Sequence, residues 1–560
     1  MDNTYKLWII NNEPSFEALQ DQVSTYFQYR PKISIITPTW NTKKSILVKT
    51  IESVRSQTYN NWELCIYDGN SNDETKEILK QYQKIDTRIK VTYGTINYGI
   101  SGNSIEASKL VSGDYISLLD HDDLLAPFAL FEVVKEINQS DLDLIYSDED
   151  KVDENEERFD PFFKPDFSLE LLRSQNYICH FLTIRKSLFM KIRGFRLGFD
   201  GSQDYDLILR AIENTSKIKH ISKILYHWRM TPGSTAGDSN AKPYAFESAK
   251  KALQEHFNRV GYKSNVTDGL LTGMYSNITY ISGLPLVSII IPNKDHLDDL
   301  FKCVSSVINK TTYPNYEIII VENNSEQEKT FQYYEHLKKN YKNINIVTYP
   351  YKEFNFSALN NFGSKFARGS VLILLNNDTE VITPDWIQNM LIFLRRKEVG
   401  IVGAKLYYPD DTIQHAGVVL GLGGIAGHAF VKFNKNDDGY FGRLKIVQNV
   451  SIVTAACLMV RRDVFEEVGG LDELYKVAFN DVDFCMKVRK AGYLVVWTPY
   501  AELYHHESKS RGYEDTPEKQ KRFEGEVNRF KTLWDKELEE GDPYYNKNLS
   551  LLSHDYSLRI

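Results

Sequence analysis

The chain has 560 residues with 42% hydrophobic and 13% aromatic side chains, too long for one core and too apolar for disorder, so two to four packed domains are expected. Its formal net charge of −8 lacks the basic footprint of a nucleic-acid binder, so no nucleic-acid partner is expected and an anionic ligand would need a metal or local cations. Five scattered cysteines (Cys65, Cys179, Cys303, Cys457, Cys485) form no C-x-x-C pair and read as reduced, cytosolic usage.

The first ~30 residues carry no basic start followed by an apolar stretch, so they are read as a packing appendage over 1–30 rather than a signal peptide. No apolar run approaches the ~20 residues of a membrane span. From Pro31 the pattern alternates: a β-branched run "ISIIT", a helix over 46–57, a second run "ELCIY", a further helix, a third run "IKVTYG", a helix over 102–111, and the strand "YISLL" ending in "DHDD". Strands without polar alternation are buried on both faces, which predicts an α/β fold with a Rossmann-like, mostly parallel sheet between helices. Ligands of such sheets bind at the carboxyl ends of the strands.

The same order returns from Pro285. "PKISIITPTWN" is matched by "PLVSIIIPNKD", "TYNNWELCIYDGNS" by "TYPNYEIIIVENNS", "GDYISLLDHDD" by "GSVLILLNNDT", and "QDYDLILR" by "NDVDFCMKVR". The spacing is constant until late, as when one ancestral domain is duplicated and the second copy gains an insertion. Two tandem domains are therefore expected over 31–243 and 285–514, joined by a helical linker and short polar stretch over 244–284 and followed by a helical tail over 515–560 that ends in a polar coil.

Two carboxylates one residue apart after a strand, Asp120 and Asp122, can share a hard divalent cation, Mn²⁺ or Mg²⁺, which would neutralise a diphosphate. The competing expectation is a solvated turn with Asp123 capping the next helix. Asp378 stands where Asp122 does, which favours a shared role. The acids Asp68 and Glu322, each after a second strand, can accept from a nucleobase N–H while Asn70 and Asn324 shape the turn. Asp204 and Asp481 open helices, where the dipole favours an ionised carboxylate and thus a general base. His227, and His505 with His506, follow these bases and are candidate metal or diphosphate ligands, with Arg229 and Arg511 as phosphate contacts. Two stretches read more plainly: "GLGGIAGHAF" (421–430) as a mobile loop or hairpin rather than a dinucleotide loop, and "LIYSDEDKVDENEE" (144–157) as a solvated face whose Asp148 or Glu149 can touch an acceptor.

The ordered set "ITPTWN", "DGNSND", "LLDHDD", "GSQDYDL", "LYHWR", then "IIPNKD", "ENNSE", "LLNNDTEV", "NDVDF", "YHHES", resembles the family 2 glycosyltransferases of the GT-A fold, in tandem as in bacterial surface polysaccharide and O-antigen synthesis, with a rhamnosyltransferase-like second half. The resemblance implies inverting transfer from a nucleoside diphosphate sugar to a glycan or lipid-linked glycan by a cytoplasmic enzyme able to lie against the inner face of the membrane. It implies donor contacts from Pro38, Thr39, Asp68, Asn70, Asp120, Pro292, Glu322, Asn324 and Asn377, with Arg229 at the diphosphate. It also implies metal ligation by Asp120, Asp122, His227, Asp378 and His505 or His506, and base roles for Asp204 and Asp481. Asn376 replaces the first D-x-D acid of the second copy, so metal dependence is expected to be stronger at the first site.

Overall fold

The computed structural model describes residues 3–230, 243–280, 283–507 and 516–560. The strands of the first half are β1 (Ile33–Thr39), β2 (Trp62–Asp68), β3 (Ile89–Tyr93), β4 (Tyr115–Leu118), β5 (Leu124–Leu125), β6 (Leu144–Val152), β7 (Arg158–Phe162), β8 (Thr183–Arg185) and β9 (Ile218–Arg229). They form one sheet in the order β3-β2-β1-β4-β8-β6-β9-β5, with β7 on β6. Every residue of β1 and β2 is buried, as expected of apolar strands covered on both faces. The predicted parallel sheet holds for β3-β2-β1-β4. Beyond β4 it is corrected: β8 inserts antiparallel between β4 and β6, so the sheet is mixed.

The linker is a helix, Pro243–Arg259, followed by a hairpin of β10 (Ser264–Asp268) and β11 (Tyr275–Thr279), where only a polar stretch was expected. The second half contains β12 (Val287–Asn293), β13 (Tyr316–Glu322), β14 (Ile344–Thr348), β15 (Val371–Leu375), β16 (Thr379–Val381), β17 (Val399–Tyr407), β18 (Ile413–His415), β19 (Val418–Leu420), β20 (Ala426–His428), β21 (Gln448–Asn449), β22 (Cys457–Arg461) and β23 (Leu494–His505). Its sheet runs β14-β13-β12-β15-β22-β17-β23-β16, the first order with each strand replaced by its counterpart. The glycine-rich stretch is the β19–β20 hairpin.

The repeat extends to side chains. Ser34 Oγ donates to Glu63 at 2.6 Å and accepts from the Gly113 amide at 2.9 Å; Ser288 Oγ donates to Glu317 at 2.7 Å and accepts from the Gly369 amide at 2.9 Å. A Cβ on Gly113 or Gly369 would stand 2.4 Å from the carbonyl of Lys32 or Leu286, so backbone approach requires glycine at both places.

The two sheets meet across a buried ionic contact. Arg396, from the helix Trp386–Leu394 and its end, reaches Glu170 of the first half, and Arg173 bridges Glu170 at 2.8 Å and Glu398 at 2.7 Å. The chain after the helix Asp535–Glu540 also bonds to both halves. Asp542 accepts from Ser451 at 2.6 Å, and Asn546 donates to Asp148 at 3.0 Å. Because Arg396 and Glu170 are both fully buried, removing Glu170 strands the Arg396 charge. Glu170→Ala is expected to cost about 3–5 kcal/mol, while the pair Glu170→Leu with Arg396→Met regains most of it. Denaturant melts of the native chain and the two variants check this, and a loss under about 1 kcal/mol for Glu170→Ala contradicts it. No helix among the described residues is long and apolar enough to cross a membrane.

Candidate active sites

In each half the candidate residues gather at the strand ends. Thr39 pairs with Asp68 across β1 and β2, and Asn293 with Glu322 across β12 and β13. The Gly69 amide donates to the Thr39 carbonyl and the Asn323 amide to the Asn293 carbonyl, both at 2.9 Å, so the turns after Pro38–Thr39 and after Pro292 share one design. Asn70 (φ 60°) and Asn324 (φ 56°) both take the left-handed conformation asparagine tolerates. The Asp68 carboxylate is buried and accepts only the Ser71 amide among the described residues, at 3.2 and 3.3 Å. Glu322 is more occupied: it accepts from the Ser325 amide, the Ser325 hydroxyl at 2.7 Å and the Tyr334 hydroxyl at 2.6 Å.

The loop after β4 divides its three acids. Asp120 and Asp122 are half-buried, and among the described residues their carboxylates carry no hydrogen bond or ion pair. Asp123, read from sequence as a possible helix cap, does not cap: the helix Ala129–Gln139 begins after Phe128 with no side-chain cap. Asp123 is instead buried, accepting from Tyr226 Oη at 2.5 Å and the Arg229 amide at 2.7 Å. Burial first, then the charges of Asp122 and Asp120, push its carboxyl well above the ordinary range. Arg229, expected at a phosphate, also braces this loop: it is 4% exposed and its Nε donates to the Asp122 carbonyl at 2.9 Å.

His227 Nδ1–H donates to the Asp150 carboxylate, 2.6 Å away, an arrangement that orients the imidazole with Nε2 as its other ring nitrogen. Burial would raise the Asp150 carboxyl, but His227 and Arg158 outweigh it and hold it low. Thus 144–152, expected to be a solvated face, is the buried strand β6, with Asp148, Glu149 and Asp150 all inside. Their charges are absorbed by His220, Lys164 and His180, and by Arg158 with His227.

Asp204 opens the helix Gln203–Ile212 and accepts from Asn176 Nδ2 at 2.8 Å. Burial raises its carboxyl against the pull of His180. His180, unforeseen from sequence, lies with one ligand-type atom each of Asp120 and Asp123 within 4.8 Å. Burial lowers its pKa, yet Glu149, Asp120 and Asp123 together lift it to about 9. Both Asp123 oxygens are engaged, so Asp120 and Asp122 are the carboxylates open to a cation.

In the second half Asp378 lies 3.2 Å from His505 Nε2, while His506 faces Glu380 at 3.4 Å. Of the two expected histidines, His505 is therefore the one at Asp378. Burial would raise Asp378, but His505 outweighs it and holds it low. Asp378 Oδ1, buried and 3.2 Å from His505 Nε2, makes no hydrogen bond of good geometry, and a carboxylate oxygen beside an imidazole nitrogen fits a divalent cation. Asn377 Nδ2 donates to Asn293 Oδ1 at 2.7 Å, and Asn293 donates to Tyr334, which donates to Glu322, so the loop after β15 is tied to the turn after β13. Asp481 opens the helix Asn480–Lys490 and accepts the Ala455 amide at 3.1 Å. Arg511 lies outside the described residues.

Comparison with known proteins adds a family. The model of glycosyl transferase family 2 matches residues 34–193 and 288–469, together more than half of the chain. Uncharacterized protein y4gI of Sinorhizobium fredii is 47% identical over 537 residues, covering 95% of this chain and 59% of that protein. The O-antigen biosynthesis protein RfbC of Myxococcus xanthus is 36% identical over 560 residues, covering 99% of this chain and 43% of that protein. The chain thus spans about half the length of these curated relatives. A solved structure of TarS 1–349 from S. aureus in complex with UDP-GlcNAc aligns at 19% identity and TM-score 0.33, over 41% of this chain and 74% of that one.

Proposed function

The chain belongs to glycosyl transferase family 2, and on that premise we propose that it carries two active sites, each moving a sugar with inversion from a nucleoside diphosphate donor to a growing cell-surface polysaccharide or lipid-linked glycan. The observation that carries the reading is the duplication of one constellation: a buried acid ending the second strand, an aspartate in the loop after the fourth, and an aspartate opening a late helix. The relative named for O-antigen synthesis supports a polysaccharide product, and a rhamnosyltransferase-like second half remains part of the proposal.

In this reading the turn of Pro38, Thr39, Asp68 and Asn70, and that of Pro292, Glu322 and Asn324, hold the nucleoside. Asp204 and Asp481 take the proton of the acceptor hydroxyl as it attacks the anomeric carbon, and the leaving diphosphate departs on the opposite face. Asp120 with Asp122, and Asp378 with His505, would hold a divalent cation, Mn²⁺ or Mg²⁺, whose charge when bound neutralises the leaving diphosphate. Asn176 orients Asp204, and the Ala455 amide orients Asp481. The enzyme acts in the cytoplasm and, on a lipid-linked acceptor, at the inner face of the membrane.

The raised carboxyl of Asp204 gives a pH test. A base must be ionised, so the first transfer is lost as pH falls through a value above the ~3.9 of ordinary aspartate. The acid limb of kcat/KM for that transfer is expected above pH ~4, and a limb at or below it contradicts the assignment. Screening nucleoside diphosphate sugars for transfer identifies the donors. A second reading, in which the second half only positions the acceptor, is favoured by Asn376 and by the occupied Glu322.

A further inference from the structure

The two sites differ in the imidazole they place near the base. Counted back from the paired strands, Tyr115 with Arg185 and Val371 with Arg461, His180 of the first half corresponds to Ala456 of the second. No imidazole can come from that position. Instead the inserted segment between β17 and β22 supplies two: His415 at the end of β18 and His428 at the end of β20.

Their hydrogen bonds fix where the protons sit. His415 Nδ1 and His428 Nδ1 are 3.0 Å apart, and the Thr454 amide lies 3.5 Å from His415 Nε2. An amide only donates, so His415 Nε2 is the bare nitrogen and its proton is on Nδ1. That Nδ1–H donates to His428 Nδ1, which must therefore be bare, and His428 carries its proton on Nε2. His415 is fully buried and His428 half-buried, and burial first holds both imidazoles below the ordinary range, consistent with a neutral pair. Among the described residues no group accepts from His428 Nε2, and the charges of Asp481, Glu507 and His505 act on its ring.

We infer that His428 Nε2–H is a hydrogen-bond donor to a hydroxyl or ring oxygen of the acceptor sugar beside Asp481, with His415 as the positioning residue that fixes its tautomer. This rests on the second half being a transferase. The first site takes its imidazole from His180 and the second from the inserted segment, so the two sites would select different acceptors.

The test uses the whole chain labelled with ¹⁵N-histidine. The probes are the methyl glycosides of glucose, N-acetylglucosamine, N-acetylgalactosamine and rhamnose, and separately UDP, GDP and dTDP with Mn²⁺. Before addition, His428 should show the Nε2–H tautomer and His415 the Nδ1–H tautomer. At least one glycoside should shift the His428 signal, His428→Ala should weaken its binding tenfold or more, His428→Gln should regain part, and nucleotide binding should be unchanged in both. Glycoside affinity unaltered by His428→Ala, the opposite tautomers, or no glycoside shifting His428 overturns the inference. If glycosides shift His428 while no nucleotide shifts His505, the hydrogen bond from His428 to a sugar stands and the transferase reading of the second half falls.

Discussion

Replacing Asp204 by asparagine is expected to cut one sugar transfer about a thousandfold and leave a second transfer at its original rate, with Asp481→Asn doing the converse. The substitution keeps size and the contact with Asn176 or the Ala455 amide, but removes the lone-pair charge that accepts the acceptor's proton. Each carboxylate sits at its own helix start on its own sheet, so neither loss should reach the other site. Thermal melts separate lost chemistry from lost fold, because neither side chain belongs to the ion pair that joins the halves. If either single change stopped both transfers in a folded protein, the sites would be one working unit; if either left both at full rate, that half would not be a transferase.

Removal of divalent metal by a chelator is expected to reduce the first transfer about a hundredfold, and the second by clearly less, with Mn²⁺ or Mg²⁺ restoring both. The difference follows from the donors. The first site offers two carboxylates free of hydrogen bonds among the described residues, Asp120 and Asp122. The second offers one, Asp378, beside His505, with Asn376 Nδ2 3.3 Å from the same ring nitrogen. A site with fewer charges binds a hard cation less tightly and gains less from it. Asp122→Asn should therefore make the first transfer need more metal without altering the metal response of the second. A second transfer that fell further than the first on chelation would reverse the assignment.

Much of the fold was legible because it rests on periodicity. The uninterrupted runs "ISIIT" and "EIIIV" are buried strands, and the repeat carries over even to Ser34 and Ser288. What escaped was whatever depends on a partner distant in sequence. "YSDED" looks solvated in isolation, and only the folded chain shows His220, Lys164, Arg158 and His227 arriving to neutralise it. The antiparallel insertion of β8 is set by three residues, too few to show a period. At the site, the turns and acids at the strand ends were readable from motif spacing. Asp123, His180, Asn176, His415 and His428 were not, because nothing in a lone histidine or asparagine announces what it faces. Arg229, expected at a phosphate from its charge, also holds the loop backbone at Asp122, a contact the sequence does not announce.

Binding stoichiometry shows directly whether one chain holds two separate donor sites. Titrating the whole chain with its nucleoside diphosphate sugars and Mn²⁺ by calorimetry is expected to show two equivalents bound per chain, one of them lost in an Asp68→Ala, Asp122→Ala double variant and the other retained. One equivalent in the native chain, abolished by that double variant, would contradict two sites and leave the second half as an acceptor-positioning module.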